Sequence, residues 1–337
     1  MLLQVNRDED GEAERQLNDE LRDYERKDEL IQYGRRAQET LRIVPGYASR
    51  LRELHKALEK EDAVLDASEV KCGRVIGRGG FGDVYVGEFR GQRVAVKKFR
   101  NNRNNRQMKD FLSEVEVLRK LEHPNIIYFI GACMEEQSLS LVLEWAENGS
   151  LNDALFPPNE AESQVEFTDA EKYRIILDTA LGIEYLHKQR PPILHRDLKP
   201  ANVLLTAENR AKIADFGLSG IDQGENTANA QNVGAGTLYY MPPEVLQSHR
   251  HTAASDVYSF SVLVWELMNQ ERAFRGVKTA VSLFEQLISD VRPQLDFVPE
   301  PLAQLLERCW CTLPDERMSI SDFIAEFCKF SGLARNA

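Results

Sequence analysis

The segment that most constrains this fold is a charged stretch of eight residues, His195–Asn202, enclosed by two apolar runs. Ile193-Leu194 precedes the stretch and Val203–Leu205 follows it, so two short β-strands are expected to hold it as a loop. Pro200 keeps the loop from becoming a helix, because proline lacks an amide hydrogen and clashes with the preceding turn. Acidic, basic and amide side chains are therefore expected on one rigid turn.

Three side chains of this loop have the chemistry for moving a phosphoryl group. Asp197 can accept a proton from an alcohol, Lys199 can stabilise phosphate charge, and Asn202 can ligate a divalent cation. A lone His-Arg-Asp tripeptide is weak evidence, since an aspartate that only caps a turn is the ordinary alternative. The rest of the chain has to supply the other parts of such a site.

A glycine-rich segment lies between two predicted strands, with Arg74-Val75 before it and Tyr85-Val86 after it. This placement argues against a dinucleotide-binding fingerprint, which would open a helix and precede an acidic residue by about 20 positions. Glycines in a hairpin let backbone N–H groups approach phosphate oxygens because no Cβ intervenes, although a purely structural hairpin is the alternative. The candidate nucleotide-binding residues here are Ile76, Gly77, Gly79, Gly80, Phe81, Gly82 and Val84.

Lys97 lies on the next predicted strand, where it shares one face with Ala95 while the neighbouring valines take the other. A lysine on the inward face of a half-buried strand is unfavourable unless it is paired. Two acidic residues, Glu114 and Glu116, lie on an amphipathic helix predicted over residues 111–118. Spacing alone leaves the choice between them open.

These motifs, taken in order, resemble those of eukaryotic protein kinases over about residues 70 to 330. The string HRDLKPAN is similar to the catalytic loop of serine/threonine kinases, and Asp215-Phe216-Gly217 to the metal-binding triplet. Chance agreement is far rarer for several motifs on different elements than for one. The stretches DVYSF, PPE and GAC…LVLEWAENGSL resemble the tyrosine-kinase-like group, which includes mixed-lineage and Raf-type kinases.

The resemblance implies catalytic roles for four residues. Lys97 would hold the α- and β-phosphates of ATP, and the family pattern favours Glu114 over Glu116 as its partner. Asp197 would orient the attacking hydroxyl and receive its proton, while Lys199 would neutralise charge on the γ-phosphoryl group.

The resemblance also implies a metal site and an adenine site. Asn202 and Asp215 would hold Mg²⁺. Leu143 would occupy the gatekeeper position, and main-chain groups of Glu144 and Ala146 would reach the adenine; an ordinary buried strand and turn is the alternative. The implied nucleotide-binding positions in this part of the chain are Ala95, Leu143, Glu144 and Ala146.

Supporting contacts are implied as well. Glu244, in a PPE triplet where the family usually has APE, would form a buried ion pair with Arg317. Asp256 would bind the backbone of the catalytic loop. Ser261 stands where the family usually has glycine, which adds one hydroxymethyl group to a packed site.

Two threonines between Leu218 and Tyr240 carry candidate roles. A phosphate on Thr227 could pair with Arg196, and an unmodified loop threonine is the equal alternative. Thr237 resembles the substrate-positioning threonine of serine/threonine kinases.

The composition of the chain limits the kinds of molecule that it is expected to bind. The chain has 42 basic and 54 acidic residues, a net charge of −12, which argues against a dedicated nucleic-acid binder. The N-terminus has no apolar signal region, and no apolar run approaches the roughly 18 residues of a membrane-spanning helix. A protein substrate, no membrane insertion and a cytoplasmic or nuclear location are expected.

The expected fold class is α+β, a bilobal kinase fold with a β-rich small lobe, one main helix in that lobe and a mainly helical large lobe. The kinase domain is expected over residues 70–330, with the lobes meeting near residues 145–146. Residues 1–69 form a helical extension, broken at Pro45-Gly46, and residues 331–337 a tail. Because its apolar stripe is narrow, the extension must pack on something, and self-association and intramolecular docking are both open.

Overall fold

The computed structural model of the chain describes residues 45–78, 82–99, 105–135, 138–158, 163–221, 237–248, 250–277 and 279–335. Within these ranges a five-stranded antiparallel sheet and two helices form a small lobe, and most of the other helices form a larger one. This architecture confirms the predicted bilobal α+β fold.

The β-strands are β1 (Val70–Arg78), β2 (Gly82–Phe89), β3 (Gln92–Phe99), β4 (Phe129–Glu135), β5 (Ser138–Glu144), β6 (Ile193–Leu194), β7 (Val203–Leu205), β8 (Ala211–Ile213) and β9 (Gly220–Ile221). The α-helices are α1 (Pro45–Lys60), α2 (Asn105–Leu118), α3 (Leu151–Leu155), α4 (Asp169–His187), α5 (Pro243–Ser248), α6 (Ala253–Asn269), α7 (Ala280–Ile288), α8 (Glu300–Cys309) and α9 (Ile320–Ser331). No helix in these described ranges is both long and apolar enough to cross a membrane.

The sheet of the small lobe places β3 at its centre, in the order β1-β2-β3-β5-β4. The register sets Lys97 opposite Val84 on β2 and opposite Leu141 on β5, so these side chains share one face of the sheet. Val94 and Val96 are fully buried on the other face. The predicted alternation of lysine and valines along this strand is confirmed.

Helix α2 packs its apolar side into the core of the small lobe. Phe111, Leu112 and Val115 are completely buried, and the Phe111 ring meets the Phe99 ring of β3 edge to face, with centroids 5.3 Å apart. The amphipathic pattern predicted for residues 111–118 lies within this helix, which starts earlier, at Asn105. Burial of its apolar face holds the helix against the sheet.

Helix α1 belongs to the segment predicted as a helical extension. It begins at Pro45, where proline is well tolerated because the first helical turn needs no amide hydrogen. Leu51, Leu54 and Leu58 are buried in the same apolar cluster as the inner face of α2. The helix predicted before Pro45 lies outside the described residues.

The large lobe is built around α6, which is buried on nearly all sides. Phe260 on α6 packs edge to face against Phe323 of α9, with centroids 5.0 Å apart. Two of the surrounding helices have capped starts: Thr168 and Glu171 form a capping box at the start of α4, and Ser319 caps α9. These helices form a rigid base beneath the loop between β6 and β7.

The charged segment of residues 195–202, hereafter the central loop, lies between β6 and β7 as predicted. Strand β6 pairs with β9, and β7 pairs with β8. Pro200 begins a single 3₁₀ turn that ends at Asn202. The two small strand pairs thereby fix both ends of the loop at the opening between the lobes.

Candidate active site

Lys97 and Glu114 form a buried ion pair across the small lobe. The Lys97 Nζ atom lies 2.7 Å and 2.8 Å from the two carboxylate oxygens of Glu114, and both residues are less than a tenth exposed. The rival acid, Glu116, binds Arg50 of α1 instead, at 2.7 Å. The geometry therefore selects Glu114 as the partner of Lys97.

Asp215 brings a third element to this pair. Its Oδ1 atom accepts a hydrogen bond from Lys97 Nζ at 2.7 Å, so β3, α2 and the segment after β8 meet at one ammonium group. Asp215 has a φ of 63°, a left-handed conformation that is uncommon for residues other than glycine. Phe216 is fully buried, with its ring 5.1 Å from the ring of His195, and this packing holds the turn.

The charges of this trio are unequal because two carboxylates share one ammonium group. Burial disfavours the charge on Lys97, but Asp215 and Glu114 together hold its pKa above the usual value. Burial raises the pKa of Glu114 to about 7, against the attraction of Lys97. Burial acts in the same sense on Asp215, but Lys97 outweighs it and leaves the pKa of Asp215 below its usual value. Asp215 is thus the stronger acid of the two.

Asp197 sits in the central loop between a cation and an amide. Lys199 Nζ contacts both of its carboxylate oxygens, at 2.9 Å and 2.7 Å, and also donates to Thr237 Oγ1 at 2.8 Å. Asn202 Nδ2 donates to the Asp197 carbonyl oxygen at 2.7 Å and to its Oδ2 atom at 2.9 Å. Burial raises the pKa of Asp197, with Lys199 opposing the shift. The side chain is therefore held in place and is a better proton acceptor than an ordinary aspartate.

Asp256 on α6 supports the central loop from below. Its Oδ2 atom accepts hydrogen bonds from the His195 amide and from His187 Nε2, and its Oδ1 atom from the Arg196 amide, each at 2.9 Å. Arg196 has a φ of 67°, and these bonds hold its backbone in that conformation. The predicted contact between Asp256 and the loop backbone is confirmed.

The predicted nucleotide-binding positions lie on or beside the face of the sheet that carries Lys97. Ala95 is opposite Leu143, and Gly77 is opposite Val84, in neighbouring strands. Gly82 begins β2, where a Cβ atom would lie 2.2 Å from the Lys98 carbonyl oxygen, so only glycine fits. Ile76 on β1 is largely exposed. Gly79, Gly80 and Phe81 lie outside the described residues.

The segment after β5 offers main-chain groups to a ligand. The Glu144 amide donates to the Tyr128 carbonyl oxygen at 3.0 Å, so of the main-chain groups of Glu144 only the carbonyl remains a candidate to face an adenine. Within the described ranges, the Ala146 amide donates no hydrogen bond to another protein atom. One acceptor and one donor are thus present where an adenine edge needs both.

The arrangement of oxygens fits a Mg²⁺ ion bound together with phosphates. Asn202 uses its Nδ2 atom for both of its hydrogen bonds, and Lys97 contacts Oδ1 of Asp215. Asn202 Oδ1 and Asp215 Oδ2 accept no hydrogen bond from another of the described residues. In that part of the chain, no cluster of three or more His, Cys, Asp or Glu residues could hold a metal by itself. Mg²⁺ is commonly held by one or two protein oxygens plus substrate phosphates, and this donor set is of that kind.

A cavity of about 640 Å³ opens beside Lys199 and Thr237. Its floor contains Glu266, which accepts a hydrogen bond from Tyr240 Oη at 2.7 Å, and its wall contains Arg272, which donates to the same hydroxyl at 3.2 Å. Sequence reasoning did not identify this group. The available signal was one acid inside the apolar run of residues 262–268.

A second predicted ion pair lies in the large lobe. Arg317 contacts Glu244 through two parallel hydrogen bonds, Nη1 to Oε1 at 2.7 Å and Nη2 to Oε2 at 2.8 Å. This bidentate geometry is among the strongest that an arginine and a carboxylate can make. The predicted pair is confirmed, and it ties α5 to the start of α6 through Arg317 and the Ala254 carbonyl oxygen.

Comparison with known proteins gives one family match and many relatives. The model of the family described as protein tyrosine and serine/threonine kinase matches residues 70–327. The probable serine/threonine-protein kinase drkB of Dictyostelium discoideum is 36% identical over 260 residues, which cover 77% of this chain and 36% of that protein.

Two further relatives show the same pattern. The dual specificity protein kinase shkA of Dictyostelium discoideum is 33% identical over 78% of this chain and 49% of its own length. The serine/threonine-protein kinase TNNI3K of Rattus norvegicus is 35% identical over 78% of this chain and 31% of its own length. The chain thus spans less than half the length of each of these three relatives.

Proposed function

This chain belongs to the protein tyrosine and serine/threonine kinase family, and we propose that it transfers the γ-phosphoryl group of ATP to serine and threonine hydroxyls of protein substrates. One observation carries the proposal: Lys97 of β3 binds both Glu114 of α2 and Asp215 at 2.7 Å, so three separate elements meet in one cleft. Few structural roles would require three charges in direct contact, two of them buried, at that place.

The proposed roles follow from the positions of the charged groups. When bound, ATP supplies the phosphoryl group and Mg²⁺ neutralises phosphate charge. Lys97 binds the phosphates, and Asn202 and Asp215 offer oxygens to the metal. Phosphoryl transfer leaves the protein little covalent work, so rate enhancement comes mainly from positioning and charge placement.

Asp197 is the proposed proton acceptor. Its carboxylate orients the substrate hydroxyl and receives the proton from that oxygen as the new bond to phosphorus forms. The bond between the γ-phosphorus and its bridging oxygen breaks, and ADP leaves. Lys199 holds Asp197 and neutralises charge on the transferred group. The hydrogen bond from Lys199 to Thr237 at 2.8 Å supports serine/threonine specificity, because it connects the proposed proton acceptor to the segment predicted to position the substrate.

The adjacent cavity is the proposed place for the protein substrate. It is lined by Lys199, Thr237 and Tyr239, and also by Arg272 and Arg275. The assignment to the tyrosine-kinase-like group, the protein substrate class and a cytoplasmic or nuclear location are parts of the same proposal. The sequence motifs and the acidic composition support them.

A nucleotide-binding module without catalysis is the alternative. Such a protein would usually lack the strand lysine, the loop aspartate or the metal-binding aspartate, and this chain has Lys97, Asp197 and Asp215. A transfer assay with labelled ATP and a mixed protein substrate separates the two functions. The wild type is expected to label serine and threonine, and Asp197→Asn is the inactive comparison. Labelling of neither the substrate nor the chain itself, with ATP binding intact, would refute the transfer function.

A further inference from the structure

The segment of residues 45–65 lies outside the part of the chain matched by the family model, which begins at residue 70. Its helix α1 nevertheless shares an apolar cluster with the small lobe, and Leu58 is completely buried there. The segment is therefore an integral part of the folded lobe rather than a solvated lead-in.

Helix α1 contacts the side of α2 that faces away from Lys97. Successive residues of an α-helix are about 100° apart, so Glu116 points about 200° around the axis from Glu114. Arg50 of α1 binds Glu116 at 2.7 Å, and Glu61, just after α1, binds Arg119 at 2.5 Å. Helix α2 is thus held on one side through Glu114 and on the other through α1.

The chain that follows α1 is bonded to the sheet. Val64 forms a parallel bridge with Ala132 of β4, through hydrogen bonds of 2.9 Å from the Leu65 amide to the Ala132 carbonyl and from the Ala132 amide to the Ala63 carbonyl. Strand β4 is an edge strand, so its free edge accepts this addition. The fit is close, because a Cβ atom on Gly131 would lie 2.6 Å from the Ala63 carbonyl oxygen.

Residues 45–65 therefore connect the two elements whose separation sets the Lys97–Glu114 distance. Lys97 is on the sheet and Glu114 is on α2, and the segment is attached to both. We propose that residues 45–65 form a brace that fixes α2 against the sheet and keeps Glu114 within reach of Lys97, with Arg50 and Glu61 as positioning residues. This inference rests on the proposed function only for its effect on phosphoryl transfer.

The test is a charge-exchange cycle in the full chain at the half-exposed Arg50–Glu116 pair. Arg50→Glu and Glu116→Arg are each expected to lower kcat/KM for ATP about two- to fivefold, the range of an exposed ion pair. The double variant restores the attraction with the charges exchanged, so its kcat/KM is expected to return toward wild type. Arg52→Glu is the matched control, because Arg52 is exposed on the same helix and has no ion pair within the described ranges.

Amide hydrogen exchange in α2 gives a readout that does not need turnover. Exchange over residues 108–118 is expected to be faster in each single variant and to slow again in the double variant, with Arg52→Glu unchanged. If Arg52→Glu has the same effect as Arg50→Glu, or if the double variant is not restored, the brace is refuted. If exchange follows the cycle and the wild type transfers no phosphoryl group, the brace stands and the proposed function fails.

A stability measurement separates positioning from folding. Each variant is unfolded in urea, and kcat/KM is compared at a temperature where all of them are folded. A loss of kcat/KM with folded fractions equal supports positioning. Loss of stability with unchanged kcat/KM would show that α1 only stabilises the lobe and would refute its role in placing Glu114.

Discussion

Two buried carboxylates, one in the central loop and one beneath it, are held in different ways. Asp256, beneath the loop, accepts hydrogen bonds from two backbone amides and one histidine side chain. Burial disfavours its charge, but these hydrogen bonds hold its pKa below the usual value. Asp197, at the cleft, is held by Lys199 and Asn202 side chains, and burial raises its pKa. The two residues are about equally hidden from solvent and differ in their donors.

This difference separates an anchor from a reactive group. The backbone amides cannot move away from Asp256 without distorting the loop, so the negative charge of Asp256 serves to hold the loop. Side-chain donors can rearrange when a substrate arrives, and a raised pKa favours proton uptake by Asp197. Burial alone therefore does not identify a catalytic carboxylate, whereas burial together with the kind of donor does.

The largest expected effect is on turnover in Asp197→Asn. The amide cannot take up the hydroxyl proton, so kcat is expected to fall about 10²- to 10⁴-fold. Nucleotide binding and folding are expected to persist, because the amide keeps the shape of the side chain. Initial rates with labelled ATP and a nucleotide titration measure both quantities. Turnover above a tenth of wild type would remove Asp197 from this role.

The next effect in size is on stability in Asp256→Asn. The asparagine NH₂ group would face a backbone N–H or the His187 ring, which need an acceptor and not a second donor. The free energy of unfolding is therefore expected to fall by about 3 kcal/mol. Activity should fall as well, because the His195 and Arg196 backbone is no longer held. Urea denaturation measures the loss. A variant as stable as wild type would show that these hydrogen bonds do not anchor the loop.

A smaller effect concerns the pH dependence of stability. The pKa of Asp256 is below its usual 3.8, so its stabilising contribution is present above that value and should be constant from about pH 5 to pH 7. The pKa of Asp197 is above 3.8, so ionising it costs stability as pH rises through that raised pKa.

Denaturation of wild type, Asp197→Asn and Asp256→Asn across this range tests both signs. The deficit of Asp256→Asn relative to wild type should not change with pH. Asp197→Asn should gain stability relative to wild type as pH rises, and then reach a plateau. If the stability of both variants relative to wild type changed with pH in the same way, Asp256 and Asp197 would not differ as anchor and proton acceptor.

The smallest effect is expected for Ser261→Gly, on the same helix as Asp256. Ser261 is fully buried, and its Oγ atom donates to the Tyr258 carbonyl oxygen at 2.7 Å. Loss of this bond and the greater freedom of glycine should lower the free energy of unfolding by about 1 kcal/mol. Turnover should be unchanged because Asp256 stays in place. A marked loss of turnover would mean that α6 supports catalysis through residues other than Asp256.

Much of the cleft could be predicted because its charged residues lie in short, contiguous sequence motifs. The flanking apolar runs and Pro200 place the central loop, and the two-residue period of β3 places Lys97 beside Ala95. Asp256 and the Glu244–Arg317 pair were predicted through the resemblance to kinases, and their hydrogen bonds confirm them.

Other contacts could not be predicted because they join residues far apart with no pattern between them. Nothing in the sequence pairs Arg50 with Glu116 rather than with another of the 54 acidic residues. The addition of residues 63–65 to the edge of β4 leaves no periodic signal, because a single parallel bridge is too short to show one. The Tyr240–Glu266–Arg272 group depends likewise on how α6 packs against the segments before and after it.

The sequence by itself determined the two-lobed α+β fold, the central loop and the identities of the charged residues, because local spacing and residue chemistry specify each of them. Residue spacing left open which acid meets Lys97; the resemblance to kinases favoured Glu114, and the tertiary structure confirms that pair. Only the tertiary structure decided what covers the far side of α2. Both questions involve several residues of equal chemistry, and the choice among them depends on how helices and strands pack, since attraction between charges acts only over the distances that packing creates.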